Sequence, residues 1–561
     1  MPKVISREVP AERFAQLQAS GMSPLLARVY AARGISSPTE LEYSLDQLLR
    51  PSLLKNMTEF ASRLIDLIQA HQKIVVIADY DADGATACAV AVRGLRMFGA
   101  NIDYLVPNRF EYGYGLSPEI VDFAMHLQPD VLLTVDNGIA SVEGVDRAAQ
   151  LGVEVLITDH HLPGDCVPEA LIVNPNQVGC EFPSKHLAGV GVMFYVLLAV
   201  RSLLRERGAF ADRPEPNLGA LLDLVALGTV ADVVALDRNN RLLVHHGLQR
   251  MRQGRACHGI RALFEASGRS MREANTFDLG FMLGPRLNAA GRLDDMSLGI
   301  ECLLAEDAEA ALASAAVLDG LNRERRQIES GMQEEALSLL EDFVPQDTLT
   351  IALCREGWHQ GVVGILASRL RERFHRPAFV FAPSEAGIVK GSGRSIPGFH
   401  LRDALDWISK RYPDLILKFG GHAMAAGLSI REESFPLFVT AFEQVGQLWM
   451  NDSILTHVVE TDGALSPDEL SLQTAETFEA GIWGQAFAPP VFHGRFEVES
   501  QRVVGGKHLK LKLRLGSQCV DGIFFNRESW LPDVVDLVYQ IQSNVFRGAK
   551  SLQLSVLSCV D

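Results

Sequence analysis

Residues 75–87, VVIADYDADGATA, crowd three carboxylates, Asp79, Asp81 and Asp83, directly behind an apolar run. At neutral pH such groups repel one another, so the arrangement is costly unless a positive charge sits among them. A divalent cation meets that need, and a solvated acidic turn is the bland alternative. Two more apolar runs end in groups of the same kind. Asp136 follows LLTV, and Asp159, His160 and His161 follow VLIT. Any one of these aspartates reads equally well as a helix N-cap, but the set as a whole does not. Asp223 and Asp232 lie in NLGALLDLVALGTVADVVAL, otherwise apolar company in which an unpaired carboxylate is expensive. Asp232, after the small residues GTVA, is the better ligand candidate of the two.

The D-x-D-x-D-G spacing also fits the start of an EF-hand calcium loop, but position twelve of that loop requires a bidentate Glu and here is Val90. The preceding KIVVIA is short and β-branched, which reads as a strand and not as the helix an EF-hand needs. Aspartates and histidines without cysteine suit Mg2+ or Mn2+, and the histidines tilt the choice toward Mn2+. More than four ligands at one edge can hold two ions about 3.5 to 4 Å apart with one carboxylate shared between them. Such a pair clamps the attacking and leaving oxygens of a phosphate ester and supplies hydroxide at neutral pH, so the expected reaction is phosphoester hydrolysis.

The elements that must position these groups are legible as an alternation. From Lys73, strand-like runs (KIVVIA, NIDYLV, DVLLTV, EVLIT, ALIV) alternate with helical patterns, the signature of a parallel sheet wound with helices on both faces. Ligands of such sheets bind beyond the carboxyl ends of the strands, where the aspartates and histidines fall. Residues 305–342 are rich in Ala, Leu, Glu and Arg and read as one long helix or two abutting ones connecting domains. A second α/β unit follows, and the last hundred or so residues alternate like a small β domain. The expected division is an N-terminal segment 1–57 without a chemical motif, a catalytic domain 58–304, a connecting helix 305–343, an α/β accessory domain 344–450 and a β barrel 451–561.

With 47% hydrophobic and 22% charged residues over 561 positions the composition is that of an ordinary soluble globular chain of about three or four domains. No basic stretch followed by an apolar one opens it. The most apolar segment, GVGVMFYVLLAVRSLL, is broken by Arg201 before it could span a bilayer, which predicts no membrane association. The eight cysteines never form C-x-x-C, which disfavours a zinc ribbon or disulfide framework and fits a reducing, cytoplasmic setting. A net charge of -17 runs against a nucleic-acid partner at first sight, but a carboxylate-rich metal site adds negative charge that bound cations cancel, so local charge decides.

The ordered series DYDADG (79–84), VDNG (135–138), DHH (159–161), LGTVADVV (227–234), GPRLNAAGR (284–292), GSGRS (391–395) and GGHAMAAG (420–427) resembles the signatures of the DHH phosphoesterase superfamily. It spans about residues 70–430, and its last two motifs resemble the accessory domain that accompanies DHH cores. The combination is similar to the branch of 5'-to-3' exonucleases specific for single-stranded DNA. That resemblance implies Asp81, Asp83, Asp136, His160 and Asp232 as metal ligands, with Asp136 as the bridge. It also implies His161 facing the scissile phosphate, and Asp79 and Asp159 orienting the ligands from behind. It further implies single-stranded-DNA-binding protein and a RecQ-type helicase as partners, a monomer, and roles in recombination and mismatch repair. The other readings are a small-substrate DHH enzyme, disfavoured by the extra C-terminal module, and a scaffold that has lost catalysis, disfavoured because every expected carboxylate and histidine is present.

Candidates for holding phosphate are Arg109 in PNRFEYGYG, Arg286 and Arg292 in GPRLNAAGR, and Ser392 and Arg394 in GSGRS. Glycines let backbone N–H groups approach phosphate oxygens, and Arg adds a bidentate fork. The resemblance assigns the PNR and GSGRS stretches to a 5' phosphate, and His422 to contact with substrate phosphate. Salt bridging between domains is the alternative for the arginines. Lys510, Lys512 and Arg514 alternate with leucines in LKLKLRL, which puts a basic face on one side of a strand, as in an OB-like groove that tracks a nucleic-acid backbone. Edge-strand protection by lysine is the alternative there.

Overall fold

The computed structural model describes residues 3–107, 115–340, 348–384, 387–546 and 548–560. The chain forms two compact units, one of residues 8–322 and 473–490, the other of residues 1–7, 323–472 and 491–561. The units therefore depart from the linear division expected above: a segment near residue 480 belongs with the catalytic unit, and the first residues belong with the accessory one.

In the first unit, β1 (Lys73–Ala78), β2 (Asn101–Leu105), β3 (Val131–Val135), β4 (Glu154–Thr158) and β5 (Leu171–Val173) form a five-stranded sheet of order β2-β1-β3-β4-β5. Every neighbouring pair is parallel. A parallel sheet needs crossovers that cover both faces, which is why β1, β3 and β4 are buried along nearly their whole length rather than alternating buried with exposed. One face packs Val75, Ile77, Leu132 and Ile157 against Ile120, Val121, Val145 and Ala148 of two short helices. Behind β1 the chain enters α1 (Ala82–Met97), buried along most of its length, which is possible because its inner turns are Ala, Gly, Thr and Cys. Gly94 has no room for a Cβ because Leu197 of α2 (Gly189–Glu206) fills the space, so the two helices approach closely. The run GTVADVV continues α3 (Leu222–Ala231), which ends with Asp232.

The connecting segment is a single helix, α5 (Ala308–Leu339), whose two glycines face open space. Earlier in the chain, before a short helix at Ser297–Leu304, lies α4 (Gly284–Leu293). In the second unit, β6 (Ile351–Cys354), α6 (Val363–Phe374), β7 (Ala378–Pro383), β8 (Ile388–Arg394), β9 (Lys418–Gly421) and β10 (Ala425–Arg431) build a mixed sheet of order β9-β10-β8-β7-β6. Its C-terminal part is a closed five-stranded barrel of β11 (Phe492–Val504), β12 (His508–Leu515), β13 (Gln518–Phe524), β14 (Val534–Phe546) and β15 (Ala549–Val560). Among the described residues no helix is long and apolar enough to cross a membrane.

Candidate metal centre at the strand tips

The tips of β1, β3 and β4 and the end of α3 bring their acidic and imidazole groups into one cluster. Ligand-capable atoms of Asp83, His160 and Asp232 lie within 4.8 Å of one another, as do those of Asp136, His160 and His161, and those of Asp79, Asp81 and Asp136. Asp136 is common to the second and third groups, and His160 joins the first to the second. Asp79 thus stands among the possible ligands, closer to the centre than the orienting role implied for it.

Each side chain is held by local backbone chemistry. Asp81 caps α1, its Oδ1 accepting from the N–H groups of Asp83 (2.9 Å) and Gly84 (3.0 Å). Asp83 is fully buried and accepts from the first two N–H groups of α2, Gly189 at 2.6 Å and Val190 at 2.9 Å. The positive end of an 18-residue helix thereby holds an anion that apolar surroundings would otherwise expel. A Cβ at Gly189 would fall 2.6 Å from that of Asp136, so this glycine clears room for a carboxylate, and one at Gly228 would run first into Thr86 Oγ1 and lie 2.9 Å from Asp83 Oδ1.

Asp136 sits at φ 62, a left-handed conformation that turns the chain sharply off β3. The turn is locked by Asn137, whose side-chain amide donates to Ile77 O (3.0 Å) and Val135 O (2.9 Å), and by Thr134 Oγ1 donating to Asn137 O (2.7 Å). Val233, immediately after Asp232, is also left-handed at φ 63, an uncommon state for a β-branched residue. Local strain of this kind concentrates at functional sites. Asp159 is the orienting group: its Oδ1 accepts from His160 N (2.7 Å), His161 N (3.1 Å) and His161 Nδ1 (2.7 Å), and its Oδ2 from Ile139 N (2.9 Å). Asn174 and Asn176 donate to the carbonyls of His161 and His160 at 2.9 and 2.6 Å and fix the histidine turn from the other side.

Electrostatics give the cluster its meaning. Burial and the neighbouring carboxylates push Asp136 and Asp232 well above the usual carboxylate range, and burial with the charge of Asp81 lifts Asp83 to about 7. Asp232 also stands at the carbonyl end of α3, where a negative charge is disfavoured. Burial, with His161 nearby, lowers His160 to about 4, so its imidazole is neutral, the form that binds metal. Burial pulls His161 down as well, but the hydrogen bond to Asp159 and that carboxylate's charge outweigh it and raise His161 to about 9. His160 Nε2 lies 3.2 Å from Asp136 Oδ1, 3.5 Å from Asp232 Oδ2 and 3.9 Å from Asp83 Oδ2. Both His160 Nε2 and Asp136 Oδ1 are buried without a hydrogen-bond partner among the described residues. Two lone-pair donors facing each other in a buried pocket are satisfied by a cation between them, and the residues fit one.

The other candidates divide. Arg109 lies outside the described residues. Arg286 is corrected: it is buried, and it donates to Asp319 Oδ1 (Nε 3.0 Å, Nη2 2.8 Å) and to Met282 O (2.6 Å), so its fork is committed inside the protein. Arg292 is half-buried in the last turn of α4. The same motif supplies something that sequence reading missed: Asn288 Oδ1 accepts from Ala82 N at 2.9 Å, and Gly291 admits the Tyr80 carbonyl, so GPRLNAAGR clamps the acidic loop. Asp223 is a structural cap, accepting from Cys257 N (2.7 Å).

Ser392 and Arg394 adjoin on β8, with Arg394 Nη1 donating to Ser392 Oγ (3.2 Å). A Cβ on Gly364 of α6 would fall 2.9 Å from that Oγ and 3.2 Å from Arg394 Nη2, so the helix start sits directly over the pair. Burial and the neighbouring Arg371 lower the Arg394 pKa, a setting in which an anion is welcome. The glycines of GSGRS are required by packing: a Cβ at Gly393 would run into the Phe379 ring, and the Phe381 ring covers Gly391 in the same way. His422 is exposed at the β9–β10 turn. On β12 the leucines point inward and the basic residues outward. Because β12 is paired on both sides, edge protection does not explain the lysines. Lys510 pairs with Asp521 (3.2 Å) and Arg514 with Glu499, while Lys512 is exposed.

A parallel sheet with this cluster at its strand tips, followed by a mixed accessory sheet, defines a DHH-type phosphoesterase. The DHH family N-terminal domain model matches residues 73–229, the DHHA1 domain model residues 346–447 and the RecJ OB domain model residues 461–558. The chain is 53% identical over 547 residues to the single-stranded-DNA-specific exonuclease RecJ of Dickeya dadantii, covering 95% of each chain. It is 50% identical over 550 residues to that of Escherichia coli, again covering 95% of each. RecJ of Thermus thermophilus, solved in complex with Mn2+, superposes with a TM-score of 0.83 at 30% identity, over 100% of this chain and 79% of that one. The chain belongs to the RecJ family of single-stranded-DNA-specific exonucleases.

The raised groups set a pH dependence for the metal-free protein. From about pH 6.5 to about 9, His161, and at the lower end Asp83, hold more protons in the folded chain than in the unfolded one, so stability falls as pH rises. The melting temperature in chelator should drop between about pH 6.5 and 9, and excess Mn2+ should shrink that drop at its lower end, where the cation replaces the protons of the carboxylates. Differential scanning calorimetry at matched ionic strength reads both effects.

Proposed function

We propose that this chain is a 5'-to-3' exonuclease that hydrolyses single-stranded DNA with two divalent cations, Mn2+ or Mg2+, at the strand-tip centre. The observation that carries the reading is the facing pair of buried, partnerless lone-pair atoms, Asp136 Oδ1 and His160 Nε2, in a ring of carboxylates whose pKa values are raised. RecJ of Thermus thermophilus has been solved with Mn2+ and with Mg2+, which supports both ions as cofactors. Bound there, the cations would polarise the scissile phosphate and lower the pKa of an attacking water.

The chain's own residues divide the remaining work. Asp136, shared between ligand groups, positions both halves of the centre, and Asp81, Asp83, His160 and Asp232, with Asp79 beside them, complete it. His161 carries a proton at neutral pH and is aimed by Asp159, so it is suited to stabilise negative charge as it develops on phosphate oxygens. With Nδ1 committed to Asp159, contact with substrate falls to Nε2. On the accessory unit, Ser392 and Arg394, with the start of α6 over them, are given the task of holding the 5' phosphate. Arg109 and His422 are assigned to the same task on resemblance, and Arg292 is retained as a phosphate contact. The barrel favours a polymer over a small substrate, with Lys512 its best placed backbone contact and Lys510 and Arg514 available by exchanging their carboxylate partners. On resemblance the reading extends to single-stranded-DNA-binding protein and a RecQ-type helicase as partners, to action as a cytoplasmic monomer, and to recombination and mismatch repair.

Oligonucleotides labelled at either end separate this reading from its rivals. Loss of label from the 5' end as mononucleotides, dependent on Mn2+ or Mg2+ and far slower on blunt duplex, is the expected result. Degradation from the 3' end, or turnover of dinucleotides alone, would refute it. In the same assay Arg394→Ala should raise KM for 5'-phosphorylated strands at least about tenfold, as expected for a charge-assisted hydrogen bond, and much less for 5'-hydroxyl strands. Asp136→Asn keeps a residue that tolerates a left-handed backbone and removes the shared charge, so it should fold with an unchanged or higher metal-free melting temperature while hydrolysis falls by three orders of magnitude or more, roughly 4 kcal/mol.

A further inference from the structure

We propose that Phe277 and Phe281 form a stacking platform for unpaired bases beside the metal centre, approached over the arginines of residues 250–272. The inference rests on the single-strand reading above and adds the surface by which the catalytic unit itself recognises the strand. The two rings are 54% and 64% exposed, yet they stack on each other with centroids 4.9 Å apart and planes 23° from parallel. Paired phenylalanines left in water mark a recognition surface.

The platform is rigid from beneath. Phe277 caps, and Phe281 lies within, a π-helical turn, Asp278–Leu283, a form of helix that concentrates at functional sites. Asp278, Leu279 and Leu283 are buried under it. Asp278 Oδ1 accepts from Arg269 Nε at 2.7 Å and its Oδ2 from Asn275 N at 3.2 Å, fixing the turn at its start.

Its position ties it to the chemistry. A Cβ on Gly280 would fall 3.4 Å from Val230 Cγ1, and one on Gly284 3.1 Å from Ala231 Cβ, so the turn lies against the two residues that precede the ligand Asp232. Gly284 in turn opens α4, whose Asn288 holds the acidic loop at Ala82. Val233, on the far side of Asp232, is itself 63% exposed.

Charge selects the occupant. Residues 250–281 of a chain with net charge -17 carry six arginines against three carboxylates, Glu265, Glu273 and the buried Asp278. Arg255, Arg261, Arg269 and Arg272 among them are exposed. Aromatic faces with neighbouring arginines are the chemistry of single-strand binding: the rings take base faces of any sequence while the guanidiniums follow the phosphates. An apolar helix of a protein partner would use the rings but give no role to the exposed Arg255 and Arg272. Bases in a duplex are already stacked and cannot enter, so the platform adds to discrimination against double strands.

The test compares the parent with Phe277→Ala/Phe281→Ala and with Phe277→Trp/Phe281→Trp on 5'-phosphorylated oligonucleotides, intact or carrying one abasic position stepped inward from the 5' end. The alanine variant should raise KM about tenfold, in the range of one lost base stack, with the tryptophan variant close to the parent and all three melting alike. One abasic position should cost the parent a similar factor and cost the alanine variant little more. Equal KM for parent and alanine variant, or no abasic position that costs the parent anything, overturns the platform; the second comparison needs no variant. A parent that digests single strands with either of those results loses the platform alone, whereas a parent that does not digest them loses the underlying reading as well.

Discussion

Crowded negative charge at the tips of three parallel strands is the constraint around which the rest of the catalytic unit is arranged. Burying Asp79, Asp83 and Asp136 within reach of Asp81 and the half-buried Asp232 would be prohibitively unfavourable without compensation. Part of the compensation is built in, since the start of α2 holds Asp83 and two N–H groups of α1 hold Asp81. The remainder is left open. Raised carboxylate pKa values and a neutral His160 facing Asp136 describe a pocket that binds protons when it has nothing better, and divalent cations when it has them.

Much of the surrounding architecture serves that pocket. The left-handed Asp136 is possible because Asn137 staples β1 to β3 and Asp159 holds the next turn, so strain at one residue is offset by three hydrogen bonds made by two others. Glycines at 189, 228 and 291 exist because the Asp136 carboxylate, the Thr86 hydroxyl beside Asp83 and the Tyr80 carbonyl, respectively, occupy the space a side chain would need. Asp159 separates the roles of two adjacent histidines. It engages the Nδ1 of His161 and raises it, while His160, turned into the buried carboxylates, is lowered by burial and by its neighbour.

Sequence patterning was a good guide wherever period and chemistry coincide. The buried parallel strands, the small-residue helix behind DYDADG, and the inward leucines of LKLKLRL follow from alternation or its absence. It was a poorer guide wherever a motif residue has two possible partners. Arg286 looks like a phosphate ligand in one dimension, but Asp319, 33 residues on, claims it. The glycines of GSGRS resemble a phosphate loop, yet the Phe379 and Phe381 rings on the neighbouring strand require them. GVGV at 189–192 read only as the start of an apolar helix; two glycines at the head of a long helix were the available sign that its N–H groups would meet an anion. Phe277 and Phe281 carried no signal, because exposure of an aromatic residue is decided by tertiary packing.

Anomalous diffraction from crystals of the protein grown in Mn2+ tests the central claim most directly. The account predicts two manganese peaks about 3.5 to 4 Å apart, one on each side of the Asp136 carboxylate, with His160 Nε2 bound to one of them. A single peak remote from Asp136, or an empty cluster with its carboxylates protonated at neutral pH in saturating Mn2+, would contradict it.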